Sequence, residues 1–236
     1  MLNDKRIAAI VPAAGKGERM GGKIAKQFLE INGKPVLIHT LEKLSSMPEV
    51  DLIVVAAGEG EIDAVKAMIV TYRLQKIKDV VVGGGHRQDS VWNCLRHLTE
   101  SEADIVLVHD AVRPFISREL VIAVCNAAIE WNAAIPVVRP KDTLKTLNGG
   151  GFVLTTLDRD AVAVVQTPQA FQFSLLRRAY LRAMEEKFYG TDDASLVERC
   201  GGRVKVVDGD HSNIKITTPG DLVLAQQLMG RGEMSR

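Results

Sequence analysis

The chain has 236 residues and a formal net charge of +1, with 25% charged and 46% hydrophobic residues. That near-neutral balance gives no electrostatic gain on a polyanion, so neither nucleic acid nor a membrane surface is expected as a partner. A chain of this length can bury about 70–75% of the surface it exposes unfolded, so a core needs no disulfide or metal to hold it.

Along the chain, apolar runs alternate with helical patterns. Residues 6–11, 51–57, 77–82, 104–109 and 133–138 read as strands buried on both faces. Between them, helices are expected near 35–46, 61–73, 90–99 and 118–131, the first with Pro35 in its opening turn. This alternation predicts a parallel sheet with right-handed crossovers. After Arg139 the pattern changes: 141–147, the turn Asn148-Gly149-Gly150-Gly151 and 152–157 read as a β-hairpin of polar, exposed character that projects as an arm. A strand at 161–166, helices at 174–188 and 193–200, a strand at 203–207 and a helix at 219–229 complete the expected α/β domain, a single unit over 1–236. Cys94, Cys125 and Cys200 are too widely spaced for a disulfide framework or a zinc knuckle and read as buried thiols. Residues 1–6 carry no apolar leader and no apolar run approaches spanning length, so a cytoplasmic location is expected.

The loop after the first strand, P-A-A-G-K-G-E-R-M-G-G-K-I-A-K-Q-F from Pro12 to Phe28, is the first chemical signal. Glycines let backbone N–H groups approach a phosphate and form an anion nest at a strand end, where open α/β sheets bind ligands. Lys16, Arg19, Lys23 and Lys26 add charge. The dinucleotide fingerprint fails here because Met20 replaces its third glycine, and the P-loop fails because Ile24 stands where a hydroxyl must hold Mg²⁺. What remains, A-A-G-x-G-x-R-M followed by Lys26, resembles the signature loop of sugar-phosphate nucleotidyltransferases.

Three further segments have both a structural and a chemical reading. Gly83–Val91 (G-G-G-H-R-Q-D-S-V) is either a plain turn with Asp89 or Ser90 capping a helix, or, beside the first loop, a seat where Gly84 and Ser90 hold base and ribose. Asp110 and Arg113 at a third strand end form either a structural ion pair or a pair in which the carboxylate holds Mg²⁺ or a substrate hydroxyl and the guanidinium stays as a fixed cation. His109 reads as a packed histidine rather than a metal ligand. In N-I-K-I-T-T-P-G-D (Asn213–Asp221) a short strand aims Lys215 away from its buried neighbours Ile214 and Ile216, ahead of a helix with Pro219 at its start.

Taken in order, A-A-G-K-G-E-R-M with K-Q-F, G-G-x-x-R-Q-D-S-V, V-H-D-A-V-R-P, K-D-T-L-K, L-D-R-D, Q-T-P-Q-A-F, T-D-D-A-S and N-I-K-I-T-T-P-x-D cover nearly the whole chain. This set resembles the 2-C-methyl-D-erythritol 4-phosphate cytidylyltransferases of the non-mevalonate isoprenoid pathway. The resemblance implies a Rossmann-like, mostly parallel sheet flanked by helices, of the nucleotide-diphospho-sugar transferase type, with residues 140–160 as a dimerisation arm. It implies that Ala13, Ala14, Gly15, Gly17, Arg19 and Lys26 bind the triphosphate of CTP, and that Gly84, Ser90, Ala111 and Lys215 complete that site. Asp110, Arg113, Thr191 and Thr217 would meet the sugar-alcohol phosphate, with Thr143 and Arg159 reaching in from the partner subunit of a homodimer. Arg19, Lys26 and Lys215 would be the catalytic cations, and Asp110 would lie near a Mg²⁺ that bridges the phosphates. Gly85 departs from members that carry an acidic residue near cytosine. A ribitol 5-phosphate cytidylyltransferase is the nearest alternative. An NAD-dependent oxidoreductase is disfavoured by Met20 and by Ala57-Gly58, where an acidic residue should end the second strand. A non-catalytic nucleotide sensor is the third.

Overall fold

In β1 (Ile7–Pro12) the side chains divide by parity: Ile7, Ala9 and Val11 enter one core, while Ala8 and Ile10 enter another. A strand that is apolar on both sides needs a helical layer on each face, and the chain supplies both. The computed structural model describes residues 2–15 and 25–233. A one-turn 3-10 helix (Lys26–Phe28) is followed by a small ribbon, β2 (Glu30–Ile31) and β3 (Lys34–Pro35), which the sequence patterns did not indicate. Then come α1 (Val36–Ser46), β4 (Leu52–Ala57), α2 (Ile62–Thr71), β5 (Ile77–Val82), α3 (Arg87–Leu95), β6 (Ile105–Val108), α4 (Arg118–Trp131) and β7 (Ala133–Val138). The arm is β8 (Lys145–Leu147) and β9 (Val153–Thr156), after which β10 (Val164–Val165), β11 (Gln169–Gln172), α5 (Phe173–Glu185), α6 (Asp193–Arg199), β12 (Lys205–Asp208) and α7 (Pro219–Glu233) close the fold.

The main sheet runs β5-β4-β1-β6-β11-β7-β12, with β10 beside β11 on the same edge of β7. All its pairings are parallel except those of β10 and β11. Helices α1 and α4 pack on one face, and α3, α5 and α6 on the other. Because β1 has β4 on one side and β6 on the other, the chain leaves it in one direction and returns in the opposite one. That reversal opens a crevice at the carboxyl ends of β1 and β6, the topological switch point where ligands bind in such sheets.

Several boundaries follow from identifiable caps. Ser117 accepts from Leu120 N (3.2 Å) to start α4, and Asn132 ends it in the left-handed region at φ 69°, which asparagine tolerates. Asp192 accepts from Ser195 N (2.9 Å) to start α6. The helix expected at 90–99 begins earlier: His86 is its N-cap, and Asp89 caps from inside, accepting from His86 N at 2.9 Å, so neither Asp89 nor Ser90 is the cap residue. The strand expected at 161–166 contracts to Val164–Val165 because a 3-10 turn, Arg159–Ala161, consumes its start. There is no strand around Lys215; Ile216 N bonds Val112 O (2.9 Å) and the segment is held as coil by a third core of Ile31, Val36, Val112, Ile216 and Ala225. The arm is exposed as expected but not polar: Leu147, Phe152, Val153 and Leu154 are 60%, 73%, 59% and 66% exposed. Among the described residues no helix is long and apolar enough to cross a membrane.

Candidate active site

Three strand ends converge on one cavity of about 510 Å³, within the usual size of a small-molecule site. From β1 come Pro12, Ala13, Ala14 and Gly15, and from the 3-10 helix Lys26 and Gln27. The turn after β5 contributes Gly84, Gly85, His86, Arg87 and Ser90. The end of β6 gives Asp110, Ala111 and Val112, and the coil before α7 gives Lys215 and Thr217. Sequence-expected residues from four distant segments thus line one wall. Gly17 and Arg19 lie outside the described residues. Thr191 is exposed and lies outside the lining, as do Thr143 and Arg159, both exposed on or beside the arm.

Close approach explains the two glycines after β5. A Cβ on Gly83 would sit 2.2 Å from Ala14 Cβ, and one on Gly84 would sit 2.2 Å from Asp89 Cβ, so backbone alone fits between the first loop and α3. Gly85 is under no such constraint, since a Cβ there would meet only Asp89 Oδ2 at 3.8 Å. Gly84 N donates to Ser90 Oγ (3.1 Å), and Ser90 Oγ donates to His86 O (3.2 Å), which locks the turn. Gln27, 2% exposed, donates through Nε2 to Ala13 O (2.7 Å) and ties the two stems of the glycine-rich loop together.

The electrostatic centre is Asp110, 6% exposed. Lys215 Nζ lies 2.9 Å from its Oδ2, Arg87 Nε 3.2 Å from its Oδ1, and Arg113 Nε 3.4 Å from Oδ2. Burial pushes the Asp110 carboxyl up, but Arg87, Lys215 and Arg113 outweigh it and hold the pKa far below the carboxylate range. Arg113 also donates to Asn213 O (2.7 Å), so the structural ion pair is formed, and Arg113 does not line the cavity. His109 is fully buried between Arg113 O (3.0 Å) and Thr167 Oγ1 (3.1 Å), and burial lowers its pKa to about 4, keeping it neutral. Thr217 Oγ1 and N both donate to Asp221 Oδ2 at 2.9 Å, and Thr218 N does so at 2.8 Å, which fixes the turn into α7.

Sequence reading missed the support behind this wall. Arg87 continues past Asp110 to Asp193, Nη1 to Oδ2 at 2.7 Å. The Q-T-P-Q run is a scaffold: Thr167 Oγ1 accepts from Asp110 N (3.0 Å), Gln166 pairs with the backbone of Asp210, and Gln169 bridges Asp192 Oδ2 (2.7 Å) and Ala194 N (3.1 Å). The motif matches at R-Q-D-S-V and T-D-D-A-S carried these residues, but no spacing in the sequence joins them.

The Ala13–Gly15 backbone beside Lys26 and Lys215, a glycine turn and one carboxylate, all at a switch point, make up the site of a nucleotidyltransferase. Residues 7–231 match the family model of 2-C-methyl-D-erythritol 4-phosphate cytidylyltransferase (IspD). The chain belongs to that family and is a cytidylyltransferase. It is 44% identical over 229 residues to the 2-C-methyl-D-erythritol 4-phosphate cytidylyltransferase of Syntrophus aciditrophicus, covering 97% of both chains, and 46% identical over 226 residues to that of Geotalea uraniireducens, covering 95% of this chain and 97% of the other. The crystal structure of 4-diphosphocytidyl-2C-methyl-D-erythritol synthase from Anaerococcus prevotii superposes with a TM-score of 0.86 at 34% identity, covering 97% of this chain and 98% of that one.

Proposed function

We propose that this chain transfers the cytidylyl group of CTP to 2-C-methyl-D-erythritol 4-phosphate, releasing pyrophosphate. The observation that carries the reading is the meeting of Lys26, Lys215 and the Ala13–Gly15 backbone on one cavity wall with the Gly84–Ser90 seat. An oxygen of the alcohol phosphate attacks the α-phosphorus of CTP, and the bond from that phosphorus to the bridging oxygen breaks, so pyrophosphate departs with the electron pair. The nucleophile is anionic near neutral pH and needs no strong base. What opposes reaction is the meeting of two anions, so positioning and charge stabilisation do most of the work. Lys26 and Lys215, with Arg19, are assigned to charge developing around the α-phosphate, while Gly84 and Ser90 seat the nucleoside.

Mg²⁺ fits as an ion carried by the triphosphate. Among the described residues Asp110 is the one carboxylate lining the cavity, and none form a cluster of three or more metal-ligating side chains. Magnesium commonly binds through one or two carboxylates plus substrate phosphates. Bound there, it would neutralise phosphate charge, with Asp110 its protein neighbour.

The arm accounts for the remaining residues. Its four exposed apolar side chains suit a second copy, and Thr143 and Arg159 lie outside their own cavity, as a site shared across a homodimer requires. Three free thiols, Cys94, Cys125 and Cys200, suit the reducing cytoplasm. The test is pyrophosphate release from each of four nucleoside triphosphates with methylerythritol phosphate or ribitol 5-phosphate, with and without Mg²⁺. Turnover is expected with CTP and methylerythritol phosphate in the presence of Mg²⁺; none with that pair, or faster turnover with ribitol 5-phosphate, sinks the assignment.

A further inference from the structure

Arg87 spans two buried carboxylates that lie far apart in sequence, Asp110 on the cavity wall and Asp193 behind it. Asp193 is 1% exposed and does not line the cavity, so it cannot touch a substrate directly. Nor does it cap its helix, because Asp192 does that through Ser195 N. Its two oxygens are committed elsewhere: Oδ2 takes Arg87 Nη1 at 2.7 Å, and Oδ1 takes the hydroxyl of the buried Tyr180 at 2.5 Å. A buried carboxylate is costly to desolvate, and this one is held by Arg87 and by the buried Tyr180 hydroxyl.

We propose that Asp193 is a positioning residue for cytidylyl transfer, acting through Arg87 on Lys215. This rests on the cytidylyl-transfer reading above. A guanidinium is a planar fork that pairs with both oxygens of a carboxylate when free to do so. With Nη1 anchored on Asp193, the guanidinium is held so that Arg87 meets Asp110 through Nε on Oδ1, while Oδ2 carries Lys215 at 2.9 Å and Arg113 at 3.4 Å. Freed from Asp193, Arg87 can turn its fork flat onto Asp110 and take Oδ2 as well. Arg113 is fixed by Asn213 O, whereas Lys215 sits on a flexible stem in a coil segment with its side chain 36% exposed. Lys215 is therefore the group displaced.

The test is a double-mutant cycle on kcat and on KM for CTP, using Asp193→Asn, Arg87→Gln and both together, with thermal melts to confirm folding. Asp193→Asn should lower kcat about tenfold with KM changed less than about threefold, since Lys215 acts on charge that develops in transfer. In the Arg87→Gln background the same substitution should change kcat less than about twofold, because no fork remains to mis-pair. A merely structural role predicts equal losses in both backgrounds; that result, or wild-type kcat in Asp193→Asn, overturns the proposal. Should Asp193→Asn fold poorly, Tyr180→Phe serves: about a twofold loss confined to the Arg87-containing background is expected, and an equal loss in both overturns the idea. Absent turnover in the wild-type enzyme sinks this inference and the functional reading together, whereas additivity with intact turnover sinks this inference alone.

Discussion

The cavity wall and the arm treat their side chains in opposite ways. On the wall, Asp110 is met by Arg87, Lys215 and Arg113, and each of these except Lys215 has a second partner behind it. On the arm, Leu147, Phe152, Val153 and Leu154 are more than half exposed among the described residues. Among the described residues the wall's charges are paired within the chain, whereas the arm's apolar side chains are left exposed. Function should thus fail in two distinguishable ways: chemistry at the wall without loss of assembly, and assembly at the arm without loss of the fold.

The largest effect is expected at the wall. Lys26→Ala and Lys215→Ala should each lower kcat by about 10²–10³, by analogy with loss of one transition-state donor, while leaving the oligomeric state unchanged. Pyrophosphate release with a parallel sedimentation run checks both halves of the statement. Turnover near wild type in either folded variant would remove that lysine from the mechanism.

Asp110→Asn should cost stability as well as activity. It strips the counter-charge from Arg113, whose side chain is 10% exposed, while Lys215 and Arg87 are partly solvated and Arg87 keeps Asp193. Breaking a buried pair costs about 3–5 kcal/mol, and partial exposure of two partners puts this case near the lower figure. At about 2–4 °C per kcal/mol for a chain of this size, the melting temperature should fall about 6–12 °C. An unchanged melt would mean that the three cations solvate themselves and the wall is less closed than its geometry implies.

The arm should respond in the reverse sense. On the proposed homodimer, Phe152→Asp with Leu154→Asp should convert dimer to monomer in sedimentation, while far-ultraviolet circular dichroism stays native. Activity should then fall with dissociation, because on that proposal Thr143 and Arg159 would leave the partner's site. A sharper version mixes Arg159→Ala subunits with Lys26→Ala subunits. Random pairing gives hybrids in half of the dimers with one intact site of two, hence about a quarter of wild-type activity from two crippled parents. No recovery would place each site within a single subunit and dissolve the contrast between wall and arm.

How much of this was legible follows from the range of the signals. Strands β1, β4, β6 and β7 stood out because burial on both faces makes continuous apolar runs, β5 stood out by its Val80–Val82 run alone, and α4 was bounded by Ser117 and Asn132. Strand β11 was invisible: its four residues, Gln169–Gln172, include a buried glutamine that satisfies itself against α6, so neither alternation nor an apolar run marks it. The strand expected near Lys215 failed for the converse reason, since alternation of Ile214 and Ile216 is met by a core contact with no sheet partner. Lys26, Lys215, Ser90 and Asp110 were readable because each sits in a recognisable turn. Arg87–Asp193 was not, for a pairing across 106 positions leaves no local trace.

The smallest effect tests the rigidity on which the wall depends. Cys94 lies in α3, the helix that carries Arg87, and packs into the sheet face beneath the cavity; Cys125 lies in α4 on the opposite face, and both are fully buried. Burial raises both thiols, Cys125 to about 12, so neither forms the reactive thiolate near neutral pH. Cys200 is partly exposed at the end of α6. A thiol reagent should therefore label Cys200 quickly, and Cys94 and Cys125 only on unfolding. The arm variants should leave that pattern unchanged, because dissociation does not reach either core face. If Cys94 labels as fast as Cys200, α3 opens in the native state, Arg87 is not held as its two carboxylates require, and the wall is then no more fixed within a subunit than the arm.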